Sequence, residues 1–214
     1  MSFEIPSDFS AIDLPRESLD FVPNFESSMT RESAKARLIT DRQKAVVERL
    51  IPELPQEKEY FHIISKGDFN YWQLACRLLD LIQEPCAFWC SIWTIIPVSI
   101  RELFAMYDAG KITRIRFLVG DSLRNRYPEV FAQLKDGIEA RAEMLKIGML
   151  HAKITVFHAQ DSGRWFVMES SANYSTNPRI EQTTAMQSKA VGRFHADWIS
   201  SAFSETVSEY EQSA

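Results

Sequence analysis

From residue 61 onward the chain alternates short apolar runs with segments whose apolar residues recur every three or four positions, and this rhythm predicts interleaved strands and helices. FHIIS (61–65) predicts a strand. Asp68 is placed to cap a helix whose Trp72, Ala75, Leu79 and Ile82 share one face. CAFWCSIW (86–93) predicts a second strand, Pro97 to about Tyr107 a helix, and TRIRFLV (113–119) a third strand. Tyr127–Leu134 reads as a short helix. In IEARAEML (138–145), the alternation of Ile138, Ala140, Ala142 and Met144 favours a strand. HAKITVFH (151–158) and RWFVMES (164–170) predict a hairpin turning at Gln160-Asp161-Ser162-Gly163. IEQTTAMQ (180–187) is a last strand, and Ser188 opens a terminal helix with Val191, Phe194, Trp198 and Ala202 on one face.

The first 60 residues break this rhythm. Residues 1–30 carry Pro6, Pro15 and Pro23, six acids and one base without a sustained period, which predicts an extended arm whose Phe3, Phe9, Phe21 and Phe25 are free to dock. From Thr30, the spacing of Leu38, Ile39, Arg42, Val46 and Leu50 predicts an amphipathic helix that Pro52 ends. The expected organisation is an N-terminal extension over 1–60, an arm plus a helix, followed by an α/β domain over 61–214.

Composition agrees with one globular domain. The 214 residues are 45% hydrophobic, 12% aromatic and 25% charged, values that exclude collagen-like, mucin-like and fully disordered chains. The apolar stretch 92–100 is interrupted by Thr94, Pro97 and Ser99, far short of the roughly 20 residues of a spanning helix. MSFEIPSDFS lacks a basic segment followed by an apolar one, so the expectation is a cytoplasmic protein without membrane partners. Cys76, Cys86 and Cys90 cannot all pair and are expected as thiols. The net charge of −5 excludes a globally basic nucleic-acid coat, and the acidity sits in residues 1–60, with 8 bases and 12 acids. Locally, Lys111, Arg114, Arg116, Arg124 and Arg126 face only Asp121 in sequence, a candidate substrate-binding stretch.

The candidate chemistry lies around the hairpin. In His151-Ala-Lys153 at the start of a strand, period-two geometry sends His151, Lys153, Thr155 and Phe157 to one face. An imidazole and an ammonium emerge side by side. After the next strand, Ser171-Ala-Asn173 presents two neutral polar groups at the same i, i+2 spacing. A phosphate group meets a nucleophile or acid in His151, a charge in Lys153, and donors in Ser171 and Asn173.

HAK followed by SSANYSTNPRIEQ resembles the phospholipase D superfamily signature His-x-Lys-x4-Asp-x6-Gly-Ser-x-Asn, over roughly residues 61–205. The matching positions are His151, Lys153, Ser171 and Asn173, and Glu181 resembles the acid that orients the family's histidine. Two positions depart from the pattern: His158 stands where the family has Asp, and Ser170 where it has Gly. Eleven residues instead of six separate them, which a longer hairpin absorbs, and Asp161 is a candidate substitute for the missing Asp.

The resemblance implies a mixed sheet flanked by helices, and a two-step phosphodiester cleavage through a phosphohistidine with no metal or cofactor. That chemistry uses two copies of the motif. This chain has one, so the resemblance implies a homodimer joining His151, Lys153 and Asn173 of each copy across a two-fold axis. It points to an endonuclease with nucleic acid as substrate. The competing readings are a catalytically weakened family member that binds nucleic acid or a protein, motivated by His158, and a phospholipase, for which no basic amphipathic segment speaks.

Other candidates are weaker. Cys86-x3-Cys90 is spaced for half a zinc site, but its apolar surroundings favour a buried strand. His151 and His158, seven apart, fall on opposite strand faces. FLVGDSLRNR lacks Gly-Lys-Ser/Thr and is no P-loop. Trp72, Phe88, Trp89 and Trp93 are expected in the core rather than in a base-stacking platform.

Overall fold

A computed structural model describes residues 43–175 and 178–204. The arm and the first half of the helix expected from Thr30, within residues 1–42, lie outside the described residues. The compact unit that begins at Asp41 is a mixed α/β domain with a seven-stranded sheet.

Helix α1 (43–50) leads into β1 (Tyr60–Ser65), α2 (Tyr71–Ile82), β2 (Cys86–Ile92), α3 (Pro97–Asp108), β3 (Ile112–Gly120), α4 (Asp121–Arg126), α5 (Pro128–Glu139), β4 (Met144–Gly148), β5 (Lys153–Ala159), β6 (Trp165–Ser170), β7 (Glu181–Gln187) and α6 (Lys189–Ser201). The sheet order is β1-β7-β6-β5-β2-β3-β4. β2, β3 and β4 are mutually parallel, and every other pairing is antiparallel.

Alternation along the strands sorts side chains onto two faces. Phe88, Cys90, Phe117, Phe157, Phe166 and Met168 join the larger core with α2, α3 and α5. Leu118, Ile154, Val156, Val167 and Met186 face the other way, under α6. The larger core also takes Val47 and Ile51. Residues 43–51, assigned from sequence to the extension, therefore pack with the domain, and Arg77 donates to the carbonyls of Ile51 and Pro52.

Several sequence expectations shift. The cap of α2 is Asn70, not Asp68: its side chain accepts the Gln73 N–H while the Gln73 side chain accepts the Asn70 N–H, a reciprocal capping box. Residues 138–145 are not one strand. Leu134 and Ile138, four apart and both fully buried, carry α5 on to Glu139, and a turn with Ala142 at φ 53° precedes β4. α1 buries Val47 rather than Val46 or Leu50. α6 is rotated by about one residue from the expected face, burying Gly192, His195, Ala196 and Ile199 and leaving Phe194 65% exposed. Trp165 lies flat on Gly192, where a Cβ would come within 2.8 Å of its ring. His195 is drawn inward because it bonds Glu169 at 2.7 Å and accepts from the Trp198 indole at 2.8 Å.

Candidate active site

The topology collects one end of the sheet. β2 and β3 run the same way, β5 is antiparallel to β2, and β6, β7 and β1 alternate from there. The C-terminal ends of β1, β2, β3 and β6 therefore meet the N-terminal ends of β5 and β7. His151, Lys153, Ser171, Asn173 and Glu181 all fall at this end.

His151 precedes β5 and is exposed, whereas Lys153, its first residue, is 3% exposed. The Lys153 ammonium donates to the His151 carbonyl at 2.8 Å and lies 2.9 and 3.0 Å from the two ring nitrogens. Burial pushes the Lys153 pKa below its ordinary 10.5, and the charge of Glu181 partly opposes this. Between the two residues, the Ala152 carbonyl accepts from Ser91 at 3.1 Å, fixing the strand start against β2.

Asn173 is held from the other side. Its Oδ1 accepts the backbone N–H groups of Trp93 at 3.2 Å and Thr94 at 3.3 Å, which fixes the orientation of its amide. The same loop is fixed by the Ile96 N–H on the Tyr174 carbonyl at 3.1 Å, while the buried Tyr174 hydroxyl bonds Thr155 beneath the site. Ser171 donates to the Glu181 carboxylate and accepts the Gln182 N–H at 3.0 Å. Two pairs thus stand at this end of the sheet, Lys153 on the His151 ring and Ser171 on Glu181.

The departures from the signature fall in different places. His158 is five strand residues from Lys153, roughly 16 Å at about 3.3 Å per residue, and stacks on Trp165 with centroids 4.2 Å apart. Asp161 sits in the turn at that far end and does not substitute at the site. Ser170 is at the near end: its hydroxyl accepts the Ala172 N–H at 3.0 Å and donates to the Gln182 carbonyl at 2.9 Å, shaping the turn into Ser171.

The five bases do not form one patch. Lys111, Arg114 and Arg116 lie toward the start of β3, up to nine residues or roughly 30 Å from Gly120 at the site end. Lys111 pairs with Asp80 at 2.8 Å and Arg116 with Glu143 at 3.4 Å. Only the exposed Arg124 and Arg126, on α4, lie past the end of β3 that faces the site. Cys86 and Cys90 are buried strand thiols, with burial pushing Cys86 up to about 12 and Cys90 higher still. No group of three His, Cys, Asp or Glu among the described residues is placed to hold a metal ion.

Sequence reasoning missed Trp93. It is half-buried instead of core, its ring centroid is 5.5 Å from that of His151, and it walls a cavity of about 730 Å³ with Asn173, Ser122, Arg126 and Tyr127. The apolar run 86–93 reads as one buried strand, and nothing in it marks the point where β2 leaves the sheet. The cue was Gly120, which lies where a Cβ would come within 2.4 Å of the Trp93 ring.

The sequence matches no protein-family model and no curated protein. Among solved structures, the chain is similar to a polyphosphate kinase from Porphyromonas gingivalis, with 14% identity and a TM-score of 0.49 over 65% of this chain and 26% of that one. The chain thus spans about a quarter of that protein's length. No described helix is long and apolar enough to cross a membrane.

Proposed function

We propose that this chain is a phosphodiesterase of the phospholipase D type that cleaves nucleic acid through a phosphohistidine. One observation carries the reading: a lysine ammonium 3% exposed, hydrogen-bonded among the described residues to the carbonyl and ring of one exposed histidine. Holding a charge there opposes folding, and a phosphate anion is the ligand that offsets it.

The chemistry follows from the side chains. An imidazole nitrogen of His151 attacks phosphorus, so that a P–N bond forms while the P–O bond to the leaving group breaks. Lys153 neutralises the nonbridging oxygens, and the Asn173 amide donates to the charge that develops on them. The leaving oxygen takes its proton from His151 of a second copy, which then removes a proton from water as that water displaces the histidine. Glu181, bonded by Ser171, favours the charged form of Lys153 against the larger effect of burial.

The second copy is supported by the apolar rim of the site. Met149 is 87% exposed, Ile180 67% and Ile64 63%. They lie two residues before His151, directly before Glu181, and opposite Gln182. Apolar groups ringing a polar centre suit a two-fold contact that closes over it.

The test is cleavage of labelled single- and double-stranded DNA and RNA in EDTA, with bis(p-nitrophenyl) phosphate as a generic substrate. Cleavage is expected to survive EDTA and to stop in His151→Ala. A well-folded wild-type dimer that cleaves none of these refutes the reading. Mixing equal amounts of wild type and His151→Ala, with subunit exchange, leaves about a quarter of the dimers with both histidines. Retention of about half the activity of the same total concentration of wild type refutes the shared site.

A further inference from the structure

The cavity of about 730 Å³, within the roughly 300–1,000 Å³ range of small-ligand sites, shares Trp93 and Asn173 with the surroundings of the histidine. Asn173 belongs to both: its Oδ1 is fixed by the Trp93 and Thr94 backbone, and its side chain lines the cavity wall. Trp93 likewise belongs to both, since its ring packs against His151 and the residue lines the cavity. Across from them stand Tyr127, 54% exposed, and the exposed Arg126, with Arg179 at the rim. Arg126 takes part in none of the ion pairs among the described residues. Ser122 also lines the cavity.

Aromatic faces beside guanidinium groups make the lining that single-stranded nucleic acid uses: bases stack on the rings while the cations follow the phosphates. A duplex keeps its bases stacked inside, and only an unpaired or extruded base enters a pocket of this size. Resting on the phosphodiesterase reading above, we propose that this cavity receives the nucleotide next to the scissile phosphate, its base against Tyr127 and Trp93 and its phosphate on Arg126. The preferred substrate is then a single strand. Tyr127, which sits between α4 and α5 and has no place in the core, acquires a purpose as the outer stacking face.

The experiment is fluorescence anisotropy of the full chain, every binding variant and its reference carrying His151→Ala so that the strand is not cut, with a labelled twelve-nucleotide oligothymidylate in EDTA, read alongside wild-type hydrolysis of bis(p-nitrophenyl) phosphate, which has no neighbouring nucleotide. Tyr127→Ala is expected to weaken single-strand binding about five- to a hundredfold, the range for losing one stacked base, and Tyr127→Trp to restore it. Arg126→Ala weakens binding and lowers its salt dependence by about one phosphate contact. Lys111→Ala, at the opposite end of the sheet, leaves binding unchanged. Tyr127→Ala that binds within twofold of its reference overturns the proposal, as does duplex competing as well as single strand. Failure of the wild type to hydrolyse bis(p-nitrophenyl) phosphate counts against the phosphodiesterase reading alone, because anisotropy still judges the cavity.

Discussion

Replacing Lys153 by Met separates what the site does from what the fold requires. Lys153 is 3% exposed, and its hydrogen bonds among the described residues go to one carbonyl and one imidazole, neither of them charged partners of the kind that offset a buried ammonium. Its pKa lies below 10.5 because burial disfavours the charged form more than Glu181 favours it. A methionine of similar length removes the desolvated charge and leaves the carbonyl of exposed His151 to water. The expected gain in stability at pH 7 is about 1 kcal/mol, read as a rise in the urea midpoint with an unchanged slope. The sign with pH follows from the lowered pKa. Between the folded and unfolded values the unfolded chain binds more protons, so wild-type stability climbs with pH through that window. The advantage of Lys153→Met is therefore full below the folded pKa and shrinks as pH approaches 10.5. Hydrolysis of a phosphodiester falls in the same variant by about a hundred- to a thousandfold, as for the loss of one donor to transition-state charge. A variant destabilised by more than about 1 kcal/mol refutes the reasoning on burial, and one that keeps activity within about tenfold of wild type refutes the role in catalysis.

Two further outcomes test the frame around the site. Glu84 accepts the Ser162 N–H and hydroxyl, each at 2.7 Å, and the Arg164 guanidinium at 3.1 Å, which together hold its carboxyl down at about 2 from 4.5. That contribution is present above pH 4.5 and is lost as pH falls toward 2. Glu84→Gln should therefore cost about 2 kcal/mol at pH 7, allowing for screening at a surface turn, and the difference should fall below about half by pH 3. A difference in denaturation midpoint that stays flat from pH 7 to pH 3 excludes the clamp. Gly120→Ala drives a Cβ to 2.4 Å from the Trp93 ring and 3.0 Å from its carbonyl. It is expected to cost about 1–3 kcal/mol and to lower activity by moving Trp93 against His151. An unchanged thermal midpoint would show that the end of β2 tolerates the shift.

What sequence conveyed and what it withheld have separate physical causes. Alternating apolar residues report which side chains share a face, so β2, β3 and the β5–β6 hairpin were legible, the last with Gly163 at φ 67° in its turn. Periodicity says nothing of strand order. The one-ended clustering of His151, Asn173 and Glu181 follows from pairings between distant segments: the hairpin spacing suggests the first two together, and Glu181 joins them only through the family resemblance. The basic stretch failed for the same reason: Lys111 and Arg126 are close in sequence, but an extended strand carries them to opposite ends of the sheet. Rotation of α6 was hidden because Gly192 and His195 do not score as apolar, although a flat tryptophan and a hydrogen-bonded imidazole bury them.

The two departures from the signature then weigh differently than sequence suggested. His158 raised the prospect of a disabled site, yet it lies at the far end of β5, stacked on Trp165, where burial, with Lys189 adding, lowers its pKa and favours the neutral ring. A neutral ring stacked on an aromatic serves packing, and nothing carries its influence to Lys153 except five residues of strand. Ser170 lies at the end of the sheet that carries His151 and Lys153. Its hydroxyl meets the Ala172 N–H and the Gln182 carbonyl, a hydrogen-bonded turn that a glycine cannot make with a side chain. That turn aims Ser171 at Glu181 and carries the chain to Asn173. The departure near the proposed site shapes its turn, while the one that changes charge lies roughly 16 Å away along β5.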